Sequence, residues 1–434
     1  MLPKSWIAVI LLSLLGAWRS FADAPKPDFA AELAQQRREI RISAEGISGP
    51  GAELLLHEAA QARFVLIGEE HGLIEVSELA TAIYQEASPP FTVYGAEVGI
   101  LAAEQIVAMA KDPRGMTAFD EFQRAFPFAF PFATFREDAG LMARAARQGT
   151  FVGLDQEFLL APAWLLGEIY TELREVDREL AAEAAQALAA EQEAYRLRNE
   201  KRDPEAAEIF LNLPLPAGWE RWKTALEGRP RALRAMRSLE ESQQIYSLYH
   251  QGRYHDNNDQ RGKVMKAHWV AATRPLGGPA LPGGRAIFRL GANHVIRGMS
   301  PLGISDIGNF LAELAASDGA SSLHVLVLPT SGAMNAWVPF LPNELQAYKI
   351  DVLSDDYSFY HDLLAALPKD GGRAVYDLRP LRAKHRRLST GKPNLEKILT
   401  GYDLVVLVDQ ARPTTLLPSL AALGAPAAAP APPP

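Results

Sequence analysis

Residues 63–75 read RFVLIGEEHGLIE. The apolar run Phe64, Val65, Leu66 and Ile67 stops at Gly68, and Glu69, Glu70 and His71 follow at once. A short apolar run closed by glycine reads as a strand buried on both faces, as in a parallel sheet covered by helices. In open α/β sheets ligands bind beyond the carboxyl ends of the strands, so these three ionisable residues stand where a pocket is expected. Side chains alternate along extended backbone, which puts Glu69 and His71 on one side and Glu70 on the other. Glu69 is therefore the preferred partner of His71.

Working outward, residues 76–86 carry apolar side chains at helical spacing and stop before Pro89-Pro90. Residues 91–96, FTVYGA, form a second strand ending at Glu97, and 101–110 return to helix. This βαβα alternation predicts a parallel sheet. Residues 119–135 are rich in phenylalanine and broken by Pro127 and Pro131; the rings either line an apolar pocket or pack on the core. A helix over 135–148 leads to a third strand, 150–154, ending at Asp155. No strand pattern occurs from 158 to 249, where alanine-rich charged stretches predict a helical insertion, either a lid or a plain packing layer. The helix predicted over 249–272 lines up Tyr254, Asn258, Arg261, Met265 and His268 on one stripe. Its arginine either reaches the pocket or pairs with a carboxylate. Residues 286–290 form a strand followed by Gly291-Ala292-Asn293-His294, and 323–328, 374–378 and 403–408 read as further strands. The expected fold is α/β: one domain over 25–420 with a central, mostly parallel sheet flanked by helices, and an insertion at about 158–249.

Residues 1–24 have a positive start, a short apolar core and Ala22-Asp23-Ala24, the form of a secretory signal peptide rather than a membrane span. A periplasmic or secreted address follows. Residues 421–434, with their alternating Ala and Pro, read as a disordered or polyproline-like tail. A net charge of −8 argues against nucleic acid or an anionic membrane as partner and leaves a small-molecule or peptide substrate; Lys384 to Arg387, KHRR, is too short a basic run to change this. The absence of cysteine excludes disulfides, thiolate metal ligands and a cysteine nucleophile. His57-Glu58 begins an HExxH pattern, but Gln61 stands where its second histidine belongs, and no GxSxG, GxxxxGKS or GxGxxG motif occurs.

What remains is a pair of GxxH motifs, at 68–71 and 291–294, with Glu97 and Asp155 closing two other strands. In a parallel sheet all four strand ends open on one edge. Without a metal, one imidazole takes a proton from water while a carboxylate holds its tautomer, and Arg261 stabilises the oxyanion. With a metal, His71, His294, Glu69 and Glu97 are the ligand set for a divalent ion. Catalytic candidates are thus His71, His294, Glu69, Glu97 and Arg261. Asp155, Asn258 and Asn293 are the candidates for holding substrate.

The segments LIGEEHGLIEV, YGAEVG, FVGLDQEF, RLGANHVIRG and GYDLVVLVDQARPTT, in that order between residues 63 and 415, resemble the landmarks of the erythromycin-esterase-like, ChaN-like and TraB/TIKI superfamily. The resemblance implies a site made of His71, His294, Glu97 and Glu69. Arg261 with Met265 resembles the Arg-x-x-x-Met helix of that group, with Gly262 where Asp or Asn is expected, and the short histidine motifs are nearer the ChaN and TIKI form. It implies three readings: an ester or lactone hydrolase using His71 as base, a metal-dependent peptidase of the TIKI type, or a ChaN-like haem- or iron-binding protein.

Overall fold

The backbone alternates apolar strands with helices, and the strands assemble around the stretch at 63–75. A computed structural model describes residues 28–273, 284–335, 347–368, 371–385 and 392–423. The leader, Arg386 and Arg387 of the basic run, and the tail beyond Leu423 lie outside the described residues. Twelve strands occur among the described residues: β1 (Arg37–Glu39), β2 (Arg41–Ser43), β3 (Gly46–Ser48), β4 (Phe64–Glu69), β5 (Val93–Gly99), β6 (Thr150–Asp155), β7 (Ala286–Gly291), β8 (Ser322–Pro329), β9 (Ala333–Asn335), β10 (Ala347–Lys349), β11 (Ala374–Asp377) and β12 (Leu404–Val408).

Eight of them form one sheet in the order β1-β11-β12-β8-β4-β7-β5-β6. From β12 to β6 all neighbours are parallel, while β11 is antiparallel to both β12 and β1. Every residue of β4, β5, β7 and β12 is buried, as strands covered on both faces require. Register places Glu69 opposite Gly291, and a shift between Ala96 and Gly99 in β5 sets Gly99 opposite Asp155. The strand ends bearing the candidate residues therefore meet on one edge. Gly68 allows this: a Cβ there would stand 2.3 Å from Val295 Cγ2 and 3.0 Å from Ala292 Cα, inside the turn that carries His294.

The structure refines the sequence reading at four places. Strands β1, β2 and β3, three residues each, precede the first strand read from the sequence; β1 pairs with β11, and β2 with β3. Residues 119–135 include the end of the helix Met116–Ala125. Most of their rings are core: Phe122 stacks on Phe130 at 4.5 Å and both meet the edge of Trp164, while Phe132 turns towards the strand ends. The helix Pro418–Leu423 carries regular structure three residues beyond the boundary drawn at 420. The insertion consists of the helices Pro162–Val176, Arg178–Lys201, Trp219–Ala225 and Pro230–His250, and packs into the same apolar core as the sheet through Leu166, Leu180, Trp222 and Leu239. Among the described residues no helix is long and apolar enough to cross a membrane.

Candidate active site

His71 lies two residues past the end of β4, its side chain 27% exposed. Its Nδ1 is 2.9 Å from Glu69 Oε1, and because a carboxylate only accepts, Nδ1 carries the proton. Glu69 is fixed in turn by Arg289, whose Nε and Nη2 donate to its two oxygens at 2.6 and 3.1 Å. Arg289 Nη1 reaches Asp138 at 2.7 Å, and the Ser77 hydroxyl donates to the same Asp138 oxygen. The imidazole ring packs against Phe132 with centroids 4.8 Å apart. Burial alone would lower the His71 pKa, but the Glu69 hydrogen bond and the charges of Glu97, Glu69 and Glu70 raise it above its ordinary value.

The second half is built on Glu97 in β5. Its Oε2 accepts the Gly291 N–H at 2.6 Å, its Oε1 accepts Arg261 Nη2 at 2.7 Å, and His294 Nε2 lies 3.6 Å from Oε1. Arg261 also forks onto Asp155, through Nε at 2.8 Å and through Nη2. His294 gives Nδ1–H to Asp306 at 2.7 Å, and the other oxygen of Asp306 accepts the Ile307 N–H at the start of the helix Ile307–Ser317. Burial would raise the Glu97 carboxyl; His294, Arg261, His71 and the Gly291 N–H outweigh it and hold Glu97 well below the carboxylate range. Burial likewise works against a charged His294, and Asp306 and Glu97 together raise its pKa despite Arg261. Gly291 joins the halves, since a Cβ there would lie 3.3 Å from His71 Nε2 and 3.6 Å from Glu97 Oε2.

A cavity of about 520 Å³ opens over this edge. His71, Glu97, Asp155 and Arg261 form its floor, Phe132 and Phe158 contribute a wall, and Tyr246, Tyr249, Asn257 and Asn258 close it from the helices Pro230–His250 and Tyr254–Thr273. Of the predicted residues, His71, Glu97, Asp155, Arg261 and Asn258 line the cavity. Glu69 and His294 sit behind it, each touching a residue that does. Asn293 is half-buried and lines no part of it. Met265 is core, and His268 clamps the Leu154 carbonyl (3.0 Å) and Glu241 (3.3 Å).

Three partners were missed: Arg289, Asp138 and Asp306. Arg289 had a signal, a lone charge inside the apolar strand AIFRLG. Asp306 had only the general look of a helix cap. Gly262, the departure from the Arg-x-x-x-Met pattern, has a local cause: a Cβ there would lie 3.1 Å from Asp306 Oδ1, so an Asp at 262 would confront a second carboxylate. As a metal set the predicted residues do not fit. Glu69 is committed to Arg289 and Glu97 to Arg261, and among the described residues no group of three or more His, Asp or Glu could hold an ion.

No family model matches the chain, and no curated protein matches it. Solved structures do. A Bacillus cereus protein superposes with a TM-score of 0.53 at 14% identity, covering 89% of this chain and 98% of its own. A succinoglycan biosynthesis protein gives 0.54 at 15%, covering 89% and 97%. A histidine variant of the erythromycin esterase EreC in its open conformation gives 0.53 at 14%, covering 87% and 98%. ChaN of Campylobacter jejuni, solved with cofacial heme, reaches only 0.29, and its heme says nothing of this chain. The chain has the erythromycin-esterase-like fold.

Proposed function

We propose that the chain is an exported hydrolase that cleaves an ester, lactone or amide, with His71 as general base. The observation that carries this reading is the Glu69–His71 pair: a carboxylate locked by Arg289 holds Nδ1–H, and the ring faces the cavity. That arrangement presents the lone pair of Nε2 to a water molecule. The water oxygen attacks the carbonyl carbon, Nε2 receives its proton, and the same proton is returned to the departing oxygen or nitrogen. Arg261, on the cavity floor, faces the negative charge that develops on the carbonyl oxygen. His294 does not touch the cavity; through Glu97 it holds the Gly291 and Arg261 arrangement, a positioning role. The fold is shared with erythromycin esterase, a hydrolase, which supports the reaction class and leaves the substrate open. The leader at 1–24 supports export to the periplasm or beyond.

The test is a panel of neutral and charged esters, lactones and peptides, run with and without a chelator. Turnover that withstands chelation and falls about a hundredfold or more in His71→Ala is the expected result. Equal activity in wild type and His71→Ala would remove the mechanism, and activity abolished by the chelator would move the chain to the peptidase reading.

A further inference from the structure

Three arginines stand around the site, and two are matched. Arg261 meets Asp155 and Glu97, and Arg289 meets Glu69 and Asp138. Arg198, on the inserted helix Arg178–Lys201, lines the same cavity and is only 4% exposed, yet it forms no ion pair with a described carboxylate. Its Nε donates to the Ala207 carbonyl at 2.8 Å. A guanidinium cannot shed its proton to escape burial. A buried charge without a counter-ion is among the costliest arrangements in a protein, and a ligand that supplies the opposite charge relieves it.

The acids near Arg198 do not fill the role. Glu191, two turns earlier on the same helix, accepts the Phe210 N–H on Oε2 at 2.7 Å. Burial pushes its carboxyl up to about 7 against the pull of Phe210, Tyr195 and Arg198, so near neutrality it is a weak counter-ion. Glu205 also lines the cavity but is exposed, and its charge is solvated. On the floor, Arg261 is paired with Asp155 and Glu97 and faces the reacting carbonyl.

We propose that Arg198 is an anion-binding subsite: it holds a compact oxyanion of the substrate, a carboxylate or a phosphoryl group, in the half of the cavity built by the insertion. That the anion belongs to a substrate rests on the hydrolase reading; the anion site itself does not. The full chain is titrated by calorimetry with glutarate, with inorganic phosphate, and with glutaramide, which keeps the length of glutarate without its charge. At least one anion binds and glutaramide does not; anion binding weakens tenfold or more in Arg198→Gln and is partly regained in Arg198→Lys. In turnover, an ester with a remote free carboxylate or phosphate is preferred over its neutral counterpart, and Arg198→Gln erodes that preference about tenfold, through KM rather than kcat.

Glutaramide binding as well as glutarate in the wild-type chain would overturn the proposal without recourse to any variant. Unchanged anion affinity in a folded Arg198→Gln would do the same. Anion binding that depends on Arg198 in a chain that hydrolyses no ester would remove the hydrolase and leave the subsite. Equal turnover of charged and neutral esters, with no anion bound, would remove the subsite and leave the hydrolase.

Discussion

In the proposed mechanism His71 is a base only when neutral, so the pH at which it gives up its proton sets the acid limb of the rate profile. The Glu69 hydrogen bond and the surrounding carboxylates raise its pKa above 6.5 in spite of burial. The expected profile of kcat/KM therefore rises with pH and has its midpoint above 6.5. In Glu69→Gln that midpoint moves down, because one carboxylate charge and the charge-assisted hydrogen bond go together. An unmoved midpoint in this variant would mean that another group is being titrated. The shift also bears on stability. A raised histidine favours the fold below its unfolded pKa, and the benefit is lost as pH rises through its folded value; Glu97, lowered, contributes above the ordinary carboxylate range and loses this as pH falls. At this scale the sequence was readable at the strand ends that build the candidate site. Glu69, His71, Glu97 and Asp155 each follow an apolar run, a local pattern. Asp306 and Asp138 were not readable, because what makes them matter is which side chain they meet, and only the packed chain decides that.

Glu157 joins two elements. It follows β6 by two residues, is fully buried, and its Oε1 accepts the Leu101 N–H at 2.8 Å, at the start of the helix Ile100–Lys111, and the Ser238 hydroxyl at 3.1 Å from the inserted helix Pro230–His250. Its own N–H donates to Ser242 on that helix at 2.9 Å. Burial, only partly opposed by these bonds and by His268, pushes its carboxyl up to about 7. Between pH 4.5 and about 7 the unfolded chain ionises Glu157 while the folded chain keeps its proton, so stability falls across that window. Glu157→Gln is expected to flatten this part of the curve of Tm against pH; an unchanged slope would assign the fall to other groups. Elements were legible from sequence in proportion to their length and apolar content. β4, β7 and β12 announce themselves, and Pro204, Pro214 and Pro216 part the insertion between Lys201 and Trp219, while its breaks at 177 and 226–229 were not legible. β1 to β3 have three residues each and no apolar run; they are strands because a partner lies alongside, which no local propensity reports.

Across the whole molecule, the candidate site and the structural ion cluster lie at different places on the sheet. Beside the first residues of β8 and β12, Asp403 accepts from Arg297 at 2.5 and 3.0 Å, from Arg382 at 2.8 Å and from the His324 N–H at 2.9 Å. Asp403→Ala leaves two guanidinium groups without their carboxylate and is expected to cost about 3 kcal/mol of stability, measured by denaturant unfolding. The activity of the molecules that remain folded stays unchanged, since Asp403 touches no part of the cavity. A loss of activity without a loss of stability would contradict this division. The alternation of strands and helices made the parallel sheet legible; the order of its strands and the reversed direction of β11 were not, because both depend on contacts between distant parts of the chain.

The position of β4 in that order has a cost during synthesis. Its two neighbours, β7 and β8, begin only at Ala286 and Ser322, after the whole insertion has been made. At roughly 5–20 residues per second, a nascent chain carries this sticky ribbon with both edges open for on the order of ten to forty seconds. Recombinant yield should therefore respond to holding chaperones and slower translation more than to anything done at the candidate site.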